Sequence, residues 1–167
     1  LNKSQFTPAL EAKYKSGLDS ALLVGNAILE KGGTALDAVE ATVKVLENNP
    51  LFNAGKGAVF TNEGINELDA AIMDGKNLAA GSIAGVRTIK NPITAARAVM
   101  EKSIHVMLSG EGADNFARII GLDTVPNTYF YTDKRFDSLK KLIEKDLKSQ
   151  ELSTLRKNTN LIINGFK

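Results

Sequence analysis

The sequence predicts an α+β fold in which a β-sheet carries a layer of structure on each face. Two observations lead to this prediction. Apolar residues recur at helical spacing over residues 8–31 and again after Thr34, which is typical of a helical hairpin that packs on a flat surface. Two later segments, 66–74 and 78–86, are small or apolar on both sides, which indicates strands covered on both faces.

Composition excludes several classes of function. The chain has 167 residues, 43% of them hydrophobic, which suits the core of one globular domain. A net charge of +2 gives no argument for nucleic-acid binding, and no apolar run approaches the roughly 20 residues that cross a bilayer. Without cysteine and with one histidine, the chain cannot hold a disulfide or a multi-histidine metal site. The lack of cysteine favours a cytoplasmic location and leaves a periplasmic one open.

Capping residues predict where the helices begin. Thr7 precedes the first helix, and Thr34, with Asp37 three residues later, precedes the second in a pattern close to a capping box. Asn91 precedes a third helix over residues 92–103, with proline at its first position. Two further helices are predicted over residues 111–120 and 136–147.

Short strands and loops account for most of the remaining chain. A hairpin turn at 75–77 joins the segments 66–74 and 78–86. Two shorter strands are predicted at 57–61 and 104–108. Residues 122–135 are predicted to be irregular, and residues 148–160, which are polar and show no period, are predicted to form a linker.

Most side chains that could carry chemistry have a simpler structural interpretation. Asp69 and Asp74 are each expected to be buried or to cap a turn, and the lone His105 is expected to be structural. The stretch SGEGADNF, residues 109–116, places glycines before a helix but lacks the full dinucleotide-binding pattern. The basic stretch 134–157 is expected to be a solvated face.

The loop NNPLFNAGKGAVF, residues 48–60, is more elaborate than a simple turn requires. It offers backbone carbonyl oxygens and the amide of Asn53, without any histidine, cysteine or carboxylate. Carbonyl oxygens suit hard cations such as Na⁺ or Ca²⁺, and the C-terminus of the preceding helix adds partial negative charge. A plain connection between helix and strand remains the alternative, and composition alone favours it.

Two long stretches of the chain closely resemble a known family. ALDAVEATVKVLENNPLFNAGKGAVFTNEGINELDAAIMDG and AGSIAGVRTIKNPITAARAVMEKSIHVMLSGEGADNFA are similar to the α subunit of plant-type L-asparaginases, the isoaspartyl peptidase family of N-terminal-nucleophile hydrolases. The resemblance runs from about residue 8 to about residue 125, with the motifs in family order and spacing. The related glycosylasparaginases share the ELDAAIMDG-like strand but have a different preceding loop.

The resemblance implies a fold, a reaction and partners. The fold is an αββα four-layer sandwich, of which residues 1–147 would form the α-subunit portion, and residues 148–167 a linker preceding an autocleavage site. Cleavage would expose an N-terminal threonine on a β subunit, which attacks the side-chain amide of L-asparagine or a β-aspartyl peptide. The β subunit is the expected partner, in an (αβ)₂ assembly, with no catalytic cofactor, nucleic acid or membrane involved.

The resemblance also assigns roles within the loop. Asn53 corresponds to an asparagine that lies beside the nucleophile and supports it. A structural Na⁺ would be bound by the main-chain carbonyls of Leu46, Glu47, Asn49, Phe52, Ala54 and Lys56.

Two family segments are not found in the sequence. There is no His-Gly-Gly-Ala-Gly-like turn and no Gly-Thr-Val-Gly-like nucleophile segment. The chain alone is therefore expected to be inactive, either as a matured α subunit or as a truncated piece. Two alternatives remain: a glycosylasparaginase-type hydrolase, and a non-catalytic α/β scaffold derived from the family.

Overall fold

Side-chain caps begin the two helices at the start of the chain. The computed structural model describes residues 6–164, with side chains up to residue 150. Helix α1 is Pro8–Glu30 and helix α2 is Ala35–Glu47. The Thr7 hydroxyl oxygen accepts a backbone N–H of the first turn of α1, and Thr34 forms a reciprocal capping box with Asp37. The two helices pack against each other, which confirms the predicted hairpin.

A three-stranded sheet forms after the loop. Strand β1, Leu68–Met73, pairs antiparallel with β2, Ala80–Val86, and β2 pairs in parallel with β3, Met107–Ser109. Helix α3, Pro92–Lys102, packs across one face of this sheet. A Cβ atom added at Gly81 would lie 2.5 Å from the Met100 backbone nitrogen, so a glycine is required for this close packing of α3 on β2.

The sheet is covered on one face only within residues 6–164, which corrects the prediction of a layer on each face. Leu68, Ile72 and Ile83 point toward α3 and are buried. On the opposite face Met73 and Met107 are 55% and 53% exposed. Small residues on a strand permit close covering, but they do not supply the covering element.

The core lies between the sheet, α3 and helix α4, which is Gly110–Ile119. Helix α4 packs on β2 and β3. A 3-10 turn at Asn127–Phe130 closes this core from the end. The largest fully buried side chains are those of Phe130, Ile83, Ile89, Val86, Val99, Asn66 and Pro92.

The strand predicted at 57–61 is wrong. Residues Gly55–Gly57 form a 3-10 turn, and only Phe60 pairs, in an isolated bridge with Asn66. Two glycines within three residues favour a tight turn over an extended strand. The strand predicted at 104–108 is displaced towards the C-terminus, because only Met107–Ser109 pairs with β2.

The end predicted for the last helix is also wrong. Helix α5 is Asp133–Asn164, so it begins before residue 136 and continues through the segment predicted as a linker. Residues 148–160 contain no glycine or proline, the residues that most often end a helix. The absence of an apolar period in a sequence therefore does not by itself indicate that a helix ends. The division of the chain into residues 1–147 and 148–167 stays a prediction.

Candidate functional site

The loop of residues 48–60 folds back on itself, and its glycines make this possible. Gly55 has a positive φ of 50°. A Cβ atom added there would collide with the carbonyl oxygen of Glu47. At Gly57, an added Cβ would lie 2.7 Å from the Pro50 carbonyl oxygen and would also collide with that of Phe52. Main-chain oxygens from the first half of the loop and the residue before it therefore lie against glycine backbone in its second half.

The six carbonyls predicted to bind Na⁺ all belong to this turn. Two of them, on Glu47 and Phe52, are the oxygens that approach the two glycines. Those of Asn49 and Ala54 each accept one backbone N–H, at 3.2 and 3.1 Å, whereas that of Leu46 accepts the N–H groups of both Asn48 and Asn49. A carbonyl oxygen has two lone pairs, so the oxygens of Asn49 and Ala54 each keep one available for a cation. Neutral carbonyl oxygens around glycine backbone fit a hard monovalent cation.

Asn53 is held by a hydrogen bond from within its own loop. Its side-chain oxygen Oδ1 accepts the backbone N–H of Val59 at 2.9 Å, which fixes the amide plane and leaves Nδ2 available to donate. The side chain is exposed and borders a cleft of about 230 Å³. Other residues that line this cleft are Glu47, Ala54, Gly55, Asp69 and Pro92.

Glu47 contributes a buried carboxylate beside the cleft, which the sequence analysis did not predict. Its side chain accepts the Ile93 backbone N–H at 2.9 Å and the Asn91 Nδ2 amide at 3.0 Å. Burial raises the pKa of Glu47 to about 7, against the lowering effect of these hydrogen bonds and of Lys44. The carboxylate thereby caps helix α3, a function predicted for the Asn91 side chain, which instead donates to Glu47.

Of the two aspartates considered earlier, Asp74 has the turn-capping role predicted for it, whereas Asp69 is exposed and caps no turn, so its prediction is wrong. Asp69 Oδ1 accepts the Gly85 backbone N–H at 2.8 Å. Asp74 Oδ1 accepts the Lys76 backbone N–H at 2.9 Å and so stabilises the turn between β1 and β2. The two side chains therefore do not form an acid and base pair.

A buried aspartate occupies the region where a phosphate site was considered. Asp114, on α4, accepts the backbone N–H groups of Arg87 and Thr88 and the Thr88 hydroxyl at 2.7–3.3 Å. This carboxylate joins α4 to the end of β2, and it would repel a phosphate placed beside it. Of the glycines at 109–116, Gly110 has a positive φ of 52°, a conformation that favours glycine.

Comparison with known proteins identifies the family. A family model described as asparaginase matches residues 1–162. The chain belongs to this asparaginase family. It is 46% identical over 139 residues to an isoaspartyl peptidase of Escherichia coli, and 51% identical over 138 residues to a plant-type L-asparaginase of Pyrococcus horikoshii. It is 48% identical over 125 residues to an isoaspartyl peptidase/L-asparaginase of Xenopus laevis.

These matches cover most of this chain but less than half of each relative. The shares of this chain are 83%, 83% and 75%, and the shares of the relatives are 43%, 44% and 40%, respectively. The relatives named isoaspartyl peptidase and L-asparaginase are hydrolases. Within residues 6–164, no helix is both long and apolar enough to span a lipid bilayer.

Proposed function

We propose that this chain is the α subunit, or part of it, of an amidohydrolase that converts L-asparagine to L-aspartate and ammonia and also cleaves β-aspartyl dipeptides. The relatives named L-asparaginase and isoaspartyl peptidase support this substrate class. The observation that carries the proposal is the Asn53 amide, fixed by Val59 at the edge of a cleft with its N–H groups available.

The reaction proceeds through an N-terminal threonine on a β subunit released by autoproteolysis. Its hydroxyl oxygen attacks the amide carbonyl carbon, and the hydroxyl proton passes to the threonine's own α-amine. Collapse of the tetrahedral intermediate breaks the carbon–nitrogen bond, and the proton goes to the leaving nitrogen, which departs as ammonia. Water then attacks the acyl ester, with the same amine as base, and releases aspartate. An oxyanion hole supplied by the β subunit stabilises the tetrahedral intermediate.

Asn53 acts in this scheme by hydrogen bonding to the nucleophilic threonine. An amide can donate to the amine or hydroxyl without taking a proton, so it orients the nucleophile while leaving its base free. The Val59 N–H keeps the amide in one orientation before substrate binds. Such preorganisation lowers the cost of reaching the reactive geometry.

The carbonyls around Gly55 and Gly57 hold a structural Na⁺ in this proposal. The ion stabilises the folded-back loop by neutralising the convergent carbonyl dipoles, and takes no part in bond making. The convergence of the Glu47 and Phe52 oxygens on glycine backbone supports the site.

The complete enzyme is an αββα sandwich in an (αβ)₂ assembly. The uncovered sheet face that includes Met73 and Met107 supports this, because an apolar face of this kind is normally packed against another layer. A symmetric pair of αβ units is a closed two-fold assembly.

The role of Asn53 is tested by Asn53→Asp in the full-length protein. Aspartate still accepts the Val59 N–H but cannot donate to the threonine. The substitution therefore preserves the loop and removes only the hydrogen bond to the nucleophile. We expect autocleavage and asparagine turnover to fall about 100-fold, the usual effect of removing one preorganised donor. Asn53→Ala should also slow both reactions. Asn62→Asp, at an exposed position of the next turn, serves as the control. Wild-type rates in N53D would contradict the assignment.

A further inference from the structure

The segment of residues 127–136 packs against the candidate active-site loop, although about 60 to 80 residues separate them in sequence. Arg135 Nε donates to the Gly57 carbonyl oxygen at 2.8 Å. Asn127 Nδ2 donates to the Asn66 carbonyl oxygen at 2.8 Å, and Asn127 Oδ1 accepts the Asn66 N–H at 3.1 Å. We refer to residues 127–136 as the clamp segment.

Asn66, which the clamp segment holds, binds the same stretch of the loop. Its side chain is buried, and Nδ2 donates to the carbonyl oxygens of Ala58 at 3.0 Å and Val59 at 3.1 Å. Together with the bond from Arg135 to Gly57, side chains hold three consecutive carbonyl oxygens of the loop. The stretch they hold carries the Val59 N–H that orients Asn53.

Aromatic and cationic contacts reinforce the clamp segment. The rings of Phe60, Tyr131 and Phe136 pack together with centroid separations of 5.4–5.7 Å. Lys56 Nζ lies 5.3 Å from the ring centroid of Tyr129. The clamp segment therefore contacts the loop on both sides of Gly57, which restricts movement of the turn as a whole.

We infer that Arg135 is a positioning residue for the proposed reaction: its charge-assisted hydrogen bond to Gly57 fixes residues 57–59, and through Val59 it fixes the Asn53 amide. This inference rests on the proposed function. Arg135 lies on the first turn of α5. Guanidinium-to-carbonyl bonds are stronger than neutral ones, so this contact limits how far the turn can shift.

The position of Arg135 predicts a specific kinetic signature. Arg135 does not line the cleft beside Asn53 and acts on the nucleophile through Asn53, so its loss reduces kcat and leaves KM unchanged. Small misplacements of catalytic groups cost up to about 100-fold in rate. We therefore expect a kcat loss of at least about tenfold when the bond to Gly57 is removed.

The test uses Arg135→Met in the full-length protein, which keeps an apolar stem of similar length and removes the donor. Arg135→Lys retains a cationic donor and should recover part of the lost rate. Lys141→Met, at an exposed position on the same helix, is the matched control. Asparagine kcat and KM are measured per mole of cleaved chain, together with the rate of autocleavage and the melting temperature.

The expected result is a folded R135M protein with lowered kcat, slower autocleavage and wild-type KM, partial recovery in R135K and no change in K141M. Wild-type kcat in R135M would overturn the inference. The inference would also be overturned if R135M did not fold, or if its KM and kcat both differed from the wild-type values. Either result would assign Arg135 a structural role. A wild-type protein that neither cleaves itself nor hydrolyses asparagine would instead refute the proposed function, so the two failures are distinguishable.

Discussion

Glu47 is the residue whose side chain and main chain serve different parts of the site. Its carbonyl oxygen belongs to the proposed cation-binding turn, and its carboxylate caps helix α3 through the Ile93 N–H. A helix N-terminus favours a nearby negative charge, whereas burial disfavours it. Burial dominates here, and it raises the pKa of Glu47 to about 7 from an ordinary value of 4.5.

This raised pKa predicts how stability changes with pH. The folded state holds the Glu47 proton more tightly than the unfolded state, so its contribution is complete below pH 4.5 and is lost as pH rises through 7. The loss should approach about 3 kcal/mol. We expect Glu47→Gln, which cannot titrate, to remove this decline. The measurement is the free energy of urea unfolding of full-length wild type and E47Q from pH 4.5 to 8 in sodium-free buffer. The prediction would be contradicted if the free energies of the two proteins changed in parallel with pH.

Residue-scale features differ in how far the sequence reveals them. The caps at Thr7 and Thr34 were predictable because a cap and its partner lie within a few residues of each other. The side-chain contact of Glu47 with Ile93 and that of Arg135 with Gly57 were not predictable. Each joins residues 46 or 78 positions apart, and no local spacing reports such a pairing.

At the scale of elements, helices α2 and α3 are joined by a charged cluster on Arg97. Its guanidinium contacts Asp37 at 2.7 Å and Glu40 at 3.0 Å on α2, and Glu101 at 2.7 Å on its own helix. The Arg97 and Glu40 side chains are only 21% and 17% exposed, so solvent screens their interaction less than that of a surface pair. The cluster fixes α3 relative to the first half of α2, the helix that leads into the candidate loop.

Removing Arg97 should therefore destabilise the packing of α2 on α3. We expect Arg97→Met to lower the free energy of unfolding by about 1–3 kcal/mol, because it leaves the half-buried Glu40 carboxylate without its cation. Lys15→Met, which breaks an exposed pair with Glu11, should change it by less than about 0.5 kcal/mol. The measurement is the free energy of denaturant unfolding of R97M and K15M. Equal losses of stability in the two variants would contradict the prediction.

The elements themselves show where sequence reasoning succeeds. Helices α1, α3 and α4 were predicted to within one or two residues, because glycine, proline and capping residues mark their ends. The strand predictions were less reliable. The stretch 57–61 has a strand-like composition, but the chain turns around its glycines. The length of helix α5 was underestimated because its polar continuation has no amphipathic pattern, although it also contains no glycine or proline.

At the scale of the whole molecule, the uncovered sheet face connects the structure with the proposed function. Met73 and Met107 on that face are more than half exposed, and the chain spans less than half the length of the relatives cited above. The α+β class and a helix layer on one face could be predicted from residue patterns. The layer predicted on the other face is not found within residues 6–164, because small residues on a strand permit close covering but do not supply the element that covers it.

The central claim is that this chain is one product of a precursor that cuts itself and thereby exposes a threonine nucleophile. The most direct measurement is intact mass with N-terminal sequencing of the protein expressed from the complete reading frame. The account predicts two chains, one of them starting with threonine, that together hydrolyse L-asparagine. A single uncut chain without asparaginase activity would contradict the account and favour a non-catalytic scaffold with the family fold.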